Sequence, residues 1–291
     1  QPGFKQVYDL LYWFRYRKDV RKFKGMLIAK NILNESSQYS VEINTQPLLR
    51  FHDPLIELFP TANVNYFEHG IGDYFDIIDS KKSRRFFPLL ESAFRNYLES
   101  NGIDSIKIEP LAIDFRNFRH IVTNLFPEIS SLNNYQNVVL IVTQPLEDFS
   151  VSASFWSHFL EGVLAKVGQA ERWNYLIKMH PRQNVESIEA ITSFLKERNV
   201  EFNVIQDNGL NNLALEFLFG ALMSHTRYVF TPFSSAIFYL PVLYPDADIA
   251  YYYSMKSLRD YSSLTASQYK ARWRRIEELL KFTKSNSVKE L

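Results

Sequence analysis

The run Asn137-Val138-Val139-Leu140-Ile141-Val142 decides the fold class of this chain. An unbroken aliphatic run of this length is typical of a strand buried on both faces, as in parallel sheets covered by helices. Repeated alternation of helix and strand patterns after it predicts a parallel sheet with right-handed crossovers, and hence an α/β domain. The predicted elements are helix Phe155–Gly168, strand Asn174–Lys178, helix Val185–Glu197, strand Glu201–Ile205, helix Leu213–Leu222 and strand Tyr228–Phe230.

A second α/β half precedes this strand. We expect two Rossmann-like domains that face each other across a cleft, at residues 1–134 and 135–291, with the polar segment Ser130–Asn134 as the linker. Because the chain opens on a helical pattern, we expect the first domain to lack its first strand. Its predicted elements are helix Phe4–Phe23, strand Gly25–Ala29, strand Val41–Ile43, helix Asp53–Phe59, strand Ala62–Phe67 and helix Phe86–Leu98.

Composition excludes several classes of protein. The 291 residues carry 33 Lys and Arg against 32 Asp and Glu, so the excess positive charge that drives general nucleic-acid binding is missing. The chain has no cysteine, which removes disulfides, thiolate metal sites and cysteine nucleophiles. No run approaches the roughly 20 apolar residues that cross a bilayer. Neither a P-loop nor a dinucleotide-binding glycine motif is present.

Two polar turns follow predicted strands of the second half and should meet at one edge of its sheet. The first holds His180 and Arg182, and the second holds Ser234 and Ser235 at the start of a predicted helix. These cations, hydroxyls and helix amides together predict an anion site suited to the phosphate of a nucleotide-linked donor. Simple helix capping is the competing interpretation, although it accounts for one serine more easily than for two.

A third turn, Glu68-His69-Gly70, follows a predicted strand of the first half. A carboxylate there can take a proton from an incoming hydroxyl while His180 assists the departing phosphate. Such a division of roles describes direct sugar transfer with inversion and without a covalent enzyme intermediate.

Four short motifs occur in the order Glu68–Gly72, Thr143–Leu146, Lys178–Arg182 and Thr231–Ala236. By their order and strand-end placement they resemble the motifs of bacterial sialyltransferases, especially the capsule polysialyltransferases and the lipooligosaccharide sialyltransferases. The resemblance implies a GT-B fold, CMP-sialic acid as the donor, no cofactor, no required metal, and inverting transfer to a glycan hydroxyl.

The resemblance also implies roles for single residues. By motif position, the general base falls on Glu68 and the general acid on His180, while Ser234 and Ser235 bind the donor phosphate. The family motif often has two acidic residues before the glycine, and here the second is His69. Glu68 remains the better match for the base, His69 is a candidate to share or modify that role, and Asp73 is a nearby rival. His69, Gly70 and Asp73 are the candidate acceptor-side residues. The other implied donor-side residues are Thr143, Gln144, Pro145, Lys178, Pro181, Arg182 and, for the ribose, Glu216.

Two alternatives stay open: a GT-B transferase that uses CMP-Kdo or another nucleotide donor, and a non-catalytic glycan-binding component of capsule assembly. The basic stretches Arg15–Lys24 and Lys270–Lys284 are candidates for binding an anionic polysaccharide or a membrane surface, besides being ordinary solvated helix faces. We therefore expect a cytoplasmic protein that is peripheral on the inner face of the cytoplasmic membrane.

Overall fold

The chain divides into two compact units, Gln1–Leu111 and Ala112–Leu291, in a computed structural model. The residues that the structure describes are 42–45, 63–67, 74, 77–78, 84–88, 90–104, 106–109, 127–145, 151–168, 172–205, 210, 213–265, 274, 277–279, 281–282 and 288–291. The predicted elements at 4–23, 25–29 and 53–59 lie outside these ranges. The prediction that the first domain lacks its first strand also concerns residues outside them.

The first unit contains a parallel sheet in the order β1-β2-β3-β4. Helix α1, Glu91–Ser100, buries Phe94 against two aromatic rings of the unit's core. The ring of Tyr74 meets Phe94 at 4.6 Å and Phe86 at 5.5 Å, both edge to face. The strands are β1 (Glu42–Thr45), β2 (Asn63–Phe67), β3 (Arg84–Phe87) and β4 (Ile106–Ile108).

The predicted helix at Phe86–Leu98 begins too early. Phe86 and Phe87 belong to β3, and α1 begins only at Glu91. The reason is Pro88, because the residue before a proline is disfavoured in helical conformation and favoured in an extended one. The charged residues Arg84 and Arg85 also belong to this strand.

The second unit is a six-stranded sheet in the order β10-β9-β8-β5-β6-β7, parallel throughout. Every residue of β5 is buried, as its aliphatic run predicts. The elements predicted from residue 137 onward are confirmed, with ends that differ by a few residues. The strands are β5 (Val138–Val142), β6 (Asn174–Lys178), β7 (Phe202–Val204), β8 (Thr226–Thr231), β9 (Ala250–Tyr253) and β10 (Val288–Glu290). The helices are α2 (Ser154–Val167), α3 (Val185–Glu197), α4 (Leu215–Leu222), α5 (Ala236–Leu243) and α6 (Met255–Asp260).

Helices cover both faces of this sheet. Lys166 of α2 lies over the ring of Tyr252 at 5.1 Å, whereas Phe238 of α5 meets the ring of Tyr253 at 5.6 Å. Because neighbouring side chains of a strand point to opposite faces, α2 and α5 lie on opposite sides of the sheet. This is the doubly wound α/β arrangement that the alternating sequence pattern predicts.

The segment predicted as a linker, Ser130–Asn134, is instead part of a 3₁₀ helix, Pro127–Asn134. Ile129 and Leu132 are buried, and the 3₁₀ helix packs against α4. Two apolar side chains in an otherwise polar stretch therefore attach it to the second unit. As a result, the division between the units falls at Leu111 and Ala112, earlier than the predicted boundary after residue 134.

Candidate active site

The predicted donor-side residues cluster at the carboxyl-terminal edge of the six-stranded sheet. Strands β8, β5 and β6 are neighbours and end at Thr231, Val142 and Lys178. The sheet order reverses between β5 and β8, and open α/β sheets bind ligands at such a switch point. We call residues 143–145, 178–184 and 231–235 the polar edge.

A hydrogen bond joins the loops that follow β5 and β6. The backbone N–H of His180 donates to Thr143 Oγ1 at 2.9 Å, and Thr143 is only 1% exposed. The backbone N–H of Thr143 donates in turn to the carbonyl of Lys178 at 3.0 Å. The two loops are thus fixed to each other at the point where the strands end.

The imidazole of His180 is half-buried and oriented by its own turn. The backbone N–H of Arg182 donates to Nδ1 at 3.1 Å, and that of Gln183 donates to the His180 carbonyl at 2.9 Å. Since Nδ1 accepts a hydrogen bond, the single proton of a neutral ring lies on Nε2. His180 therefore has the tautomer that donates from Nε2.

Lys178 is a buried cation at the end of β6. Its side chain is 5% exposed, and burial lowers its pKa from 10.5 to about 8. Nζ donates to the carbonyl of Met179 at 3.4 Å, within the same turn as His180. Charge is costly at such a position, and a perturbed pKa in a ligand-binding region often accompanies function.

The serine pair lies between β8 and α5, and both serines are half-buried. Ser235 is the N-cap residue of α5, yet its side chain makes no capping hydrogen bond. Capping therefore does not explain Ser235. The strand that precedes the serines ends at Thr231, which is 1% exposed and whose Oγ1 has no hydrogen-bond partner.

Glu216 lies in the first turn of α4, and burial raises the pKa of its carboxyl group. The hydroxyl of Tyr244 donates to the backbone carbonyl of Glu216 at 2.7 Å. Burial and the nearby charge of Glu216 raise the pKa of Tyr244 to about 12. Glu216 is therefore a partly desolvated acid whose main chain is tied to the end of α5.

The other predicted donor-side residues differ in accessibility. Pro145 is buried, Gln144 is half-buried, and Pro181 and Arg182 are exposed. The acceptor-side candidates and the predicted base, Glu68, His69, Gly70 and Asp73, lie outside the described residues. Strand β2 ends at Phe67, the residue directly before Glu68.

Sequence reasoning missed two residues of the polar edge. Both polar atoms of the Gln183 side chain are buried and lack hydrogen-bond partners, as does Thr231 Oγ1. Gln183 directly follows the motif Lys178–Arg182, and Thr231 is the first residue of the motif Thr231–Ala236, but neither was assigned a role. Their position in or next to a motif was the available sequence signal. Whether the hydroxyl or amide has a hydrogen-bond partner depends on tertiary packing.

Within the ranges described, no three His, Asp or Glu side chains are grouped so as to hold a metal ion. Among the helices that the structure describes, none has both the length and the apolar character of a membrane-spanning segment.

Solved structures share this fold. UDP-GlcNAc 2-epimerase from Methanocaldococcus jannaschii is 14% identical, with a TM-score of 0.50 over 94% of this chain and 75% of that chain. The Neisseria meningitidis epimerase bound to UDP-GlcNAc is 14% identical, with a TM-score of 0.48 over 86% of this chain and 71% of that chain. A trehalose-phosphate synthase from Burkholderia vietnamiensis is 12% identical, with a TM-score of 0.45 over 94% and 72%. At these identities the likeness concerns the fold alone, which is GT-B-like α/β as predicted.

No curated protein matches the sequence. The family profile described as alpha-2,8-polysialyltransferase (POLYST) matches residues 28–253, which is most of the chain and includes all four motifs. The predicted resemblance to bacterial sialyltransferases is confirmed, and the chain belongs to the alpha-2,8-polysialyltransferase family, whose members are glycosyltransferases.

Proposed function

We propose that the protein transfers sialic acid from CMP-sialic acid to a hydroxyl group of a glycan acceptor, with inversion and without a metal ion or cofactor. Family membership supports the sialyl group. The observation that carries the donor side is the hydrogen bond between Thr143 and His180 at 2.9 Å, beside the switch point of the sheet.

The donor phosphate is the leaving group, so its oxygens gain negative charge as the bond to the sugar breaks. Donors and cations fixed before the reaction stabilise such charge most effectively. In this proposal the charge is met by His180 as the general acid, by the Lys178 ammonium, and by the hydroxyls of Ser234 and Ser235 at the start of α5, where the helix dipole adds to them. Glu216 binds the ribose.

The remaining donor-side residues shape the nucleotide site in this proposal. Gln144 and Pro145 lie in the loop after β5, beside the switch point, and Pro181 and Arg182 lie in the loop after the neighbouring strand β6. The exposed guanidinium of Arg182 adds a cation suited to phosphate or to an anionic sugar.

Glu68 is the proposed general base on the acceptor side. It takes the proton of the attacking hydroxyl while that oxygen bonds to the anomeric carbon and the bond to the CMP oxygen breaks. His69, Gly70 and Asp73 complete the acceptor side. The acceptor is a glycan, with an anionic polysaccharide favoured by the basic stretches Arg15–Lys24 and Lys270–Lys284.

Those basic stretches also support a peripheral position on the inner face of the cytoplasmic membrane, in association with capsule assembly. Nucleic acid is not a proposed partner, because the net charge of the chain is only +1.

Calorimetric titration of the full chain with CMP, CDP, UMP and GDP, with and without EDTA, tests the donor side. We expect CMP to bind selectively and EDTA to leave its affinity unchanged. Transfer from CMP-sialic acid to a sialylated oligosaccharide, followed by mass spectrometry, tests the reaction. Preference for another nucleotide would refute the donor, and CMP binding without turnover on any glycan would favour a non-catalytic glycan-binding protein.

Substitution of the proposed base separates binding from chemistry. Glu68→Gln should keep the affinity for CMP and lower kcat by about 10²–10⁴-fold, because the amide cannot accept the proton. Asp73→Asn is the comparison variant: as a substitution on the proposed acceptor side, it should raise KM for the glycan and change kcat much less than Glu68→Gln does. The base would have to be reassigned to Asp73 if the two variants exchanged these phenotypes.

A further inference from the structure

The hydroxyl of Thr143 is engaged inside the protein. Its oxygen accepts from the His180 backbone N–H at 2.9 Å, and its proton points to the sulfur of Met179 at 3.8 Å. The side chain is only 1% exposed. A buried hydroxyl that both accepts and donates within the His180 turn is suited to holding that turn, and less suited to contacting a nucleotide.

The same turn fixes the ring of His180. The backbone N–H of Gln183 donates to the His180 carbonyl at 2.9 Å and closes the turn. Inside this turn, the backbone N–H of Arg182 donates to His180 Nδ1 at 3.1 Å. The backbone of His180 is thus held from β5 and its ring from the following residue. If the backbone shifted, the contact with Nδ1 would change as well, because both belong to one short turn.

We infer that Thr143 is a positioning residue that holds His180 as the tautomer with its proton on Nε2. A second proton on Nδ1 would oppose the Arg182 N–H, because both groups would then be donors. This inference refines the general-acid role proposed above: His180 acts on the leaving phosphate as a neutral hydrogen-bond donor that keeps its Nε2 proton instead of transferring it. This is sufficient at neutral pH, because a phosphate monoester has its second pKa near 6 and leaves without needing a proton.

The role of the phosphate rests on the proposed function, but the positioning of His180 by Thr143 does not. The first measurement is therefore independent of activity. In protein labelled with ¹⁵N-histidine, the ring nitrogens of His180, assigned by comparison with His180→Gln, should report the Nε2–H tautomer. Thr143→Ser should preserve that signature, and Thr143→Val should give a mixture of tautomers.

The second measurement is steady-state kinetics of the same variants. Thr143→Val should lower kcat by about 10–100-fold with little change in KM for CMP-sialic acid, as expected when a reacting group is misplaced. Thr143→Ser should restore most of kcat. The matched control is Thr226→Val, which removes another buried hydroxyl, one that donates to the Leu222 carbonyl at 2.8 Å at the far end of β8.

An unchanged tautomer in Thr143→Val would overturn the inference, and so would an equal loss of kcat in Thr226→Val. If Thr143→Val does not fold, Thr143→Ala removes the hydroxyl without adding a methyl group and takes its place. A wild-type protein that shows the Nε2–H tautomer but no sialyl transfer would refute the proposed function while supporting the positioning of His180.

Discussion

The two edges of the six-stranded sheet use similar residues in opposite ways. At the amino-terminal edge the Val138 N–H donates to the His225 carbonyl at 2.7 Å and Thr226 Oγ1 donates to the Leu222 carbonyl at 2.8 Å, although the indole N–H of Trp173, directly before β6, is buried without a partner. At the polar edge, Thr231 Oγ1 and the Gln183 amide are buried without partners, and Lys178 is a buried cation.

Paired polar groups stabilise the folded protein, whereas buried polar groups without partners lower its stability. A buried polar group without a partner costs about 1–3 kcal/mol, so packing alone does not favour it. Groups of this kind accumulate at functional sites, where a ligand supplies the missing partner. One edge of the sheet therefore closes the domain, and the other is the edge that the proposed function assigns to the donor.

Replacing one histidine at each edge should give the largest contrast. His180→Ala should lower kcat by about 10²–10⁴-fold and weaken CMP binding, because it removes the donor to the leaving phosphate. His225→Ala should leave kcat near the wild-type value, since His225 lies at the amino-terminal edge, where its Nδ1 meets Gln136 Oε1 at 3.3 Å. Steady-state transfer assays measure both variants. Equal losses would show that the two edges do not differ in function.

The serine pair should have the next largest effect. Ser234→Ala combined with Ser235→Ala should raise the Kd for CMP by about 10²–10⁴-fold, since hydrogen bonds to a charged group contribute about 1.5–3 kcal/mol each. The melting temperature should change little, because Ser235 does not cap α5. Calorimetry and thermal unfolding separate the two quantities. A lower melting temperature with unchanged CMP affinity would return the serines to a purely structural role.

The sequence predicted which residues lie at the polar edge, but not how they are buried or hydrogen-bonded. The aliphatic run of β5 and the turns after β6 and β8 are local patterns, and parallel pairing then brings Thr143, His180 and Ser234 to one edge without any knowledge of side-chain contacts. By contrast, the burial of Thr143, the tautomer of His180 and the unpaired hydroxyl of Thr231 depend on which groups meet in three dimensions.

Outside this edge, local patterns misled where single residues outweighed them. Pro88 kept Phe86 and Phe87 extended although the aromatic spacing suggested a helix. Ile129 and Leu132 packed a polar stretch onto α4 that composition alone assigns to a linker. In both cases one or two residues, through a steric or a hydrophobic effect, set the local structure against the averaged pattern.

The charge of Lys178 should make the affinity for CMP depend on pH. Its pKa is lowered from 10.5 to about 8, so the ammonium is lost as the pH rises through about 8, and CMP affinity should fall several-fold over that range. Lys178→Arg, which stays charged, should lack this step, and Lys178→Met should bind weakly at every pH. Calorimetry between pH 7 and about 9.5 measures the effect, in a range where CMP itself does not titrate. A pH-independent affinity in the wild type would remove Lys178 from the donor site.

The same shift has a consequence for stability. The folded pKa of Lys178 lies below the ordinary value, so the unfolded chain binds more protons between about 8 and 10.5, and this residue's penalty disappears as the pH rises across that interval. Lys178→Met should therefore be more stable than the wild type at pH 7 and lose that advantage toward pH 10.5. If the stability advantage of Lys178→Met stayed constant with pH, its cause would be packing rather than charge.

The smallest expected effects come from replacing one threonine at each end of β8. Thr231→Val removes a buried hydroxyl that has no partner, so the free protein should become about 1 kcal/mol more stable while CMP binds a few-fold more weakly. Thr226→Val removes a satisfied hydroxyl and leaves the Leu222 carbonyl without its donor, so it should lower stability by about 1 kcal/mol without affecting CMP. Opposite signs of the stability change in denaturant unfolding, with only Thr231→Val weakening CMP, are what a ligand-binding edge and a structural edge predict. The same sign at both ends would mean that the Thr231 hydroxyl finds a partner within the folded protein, and its place among the donor contacts would be withdrawn.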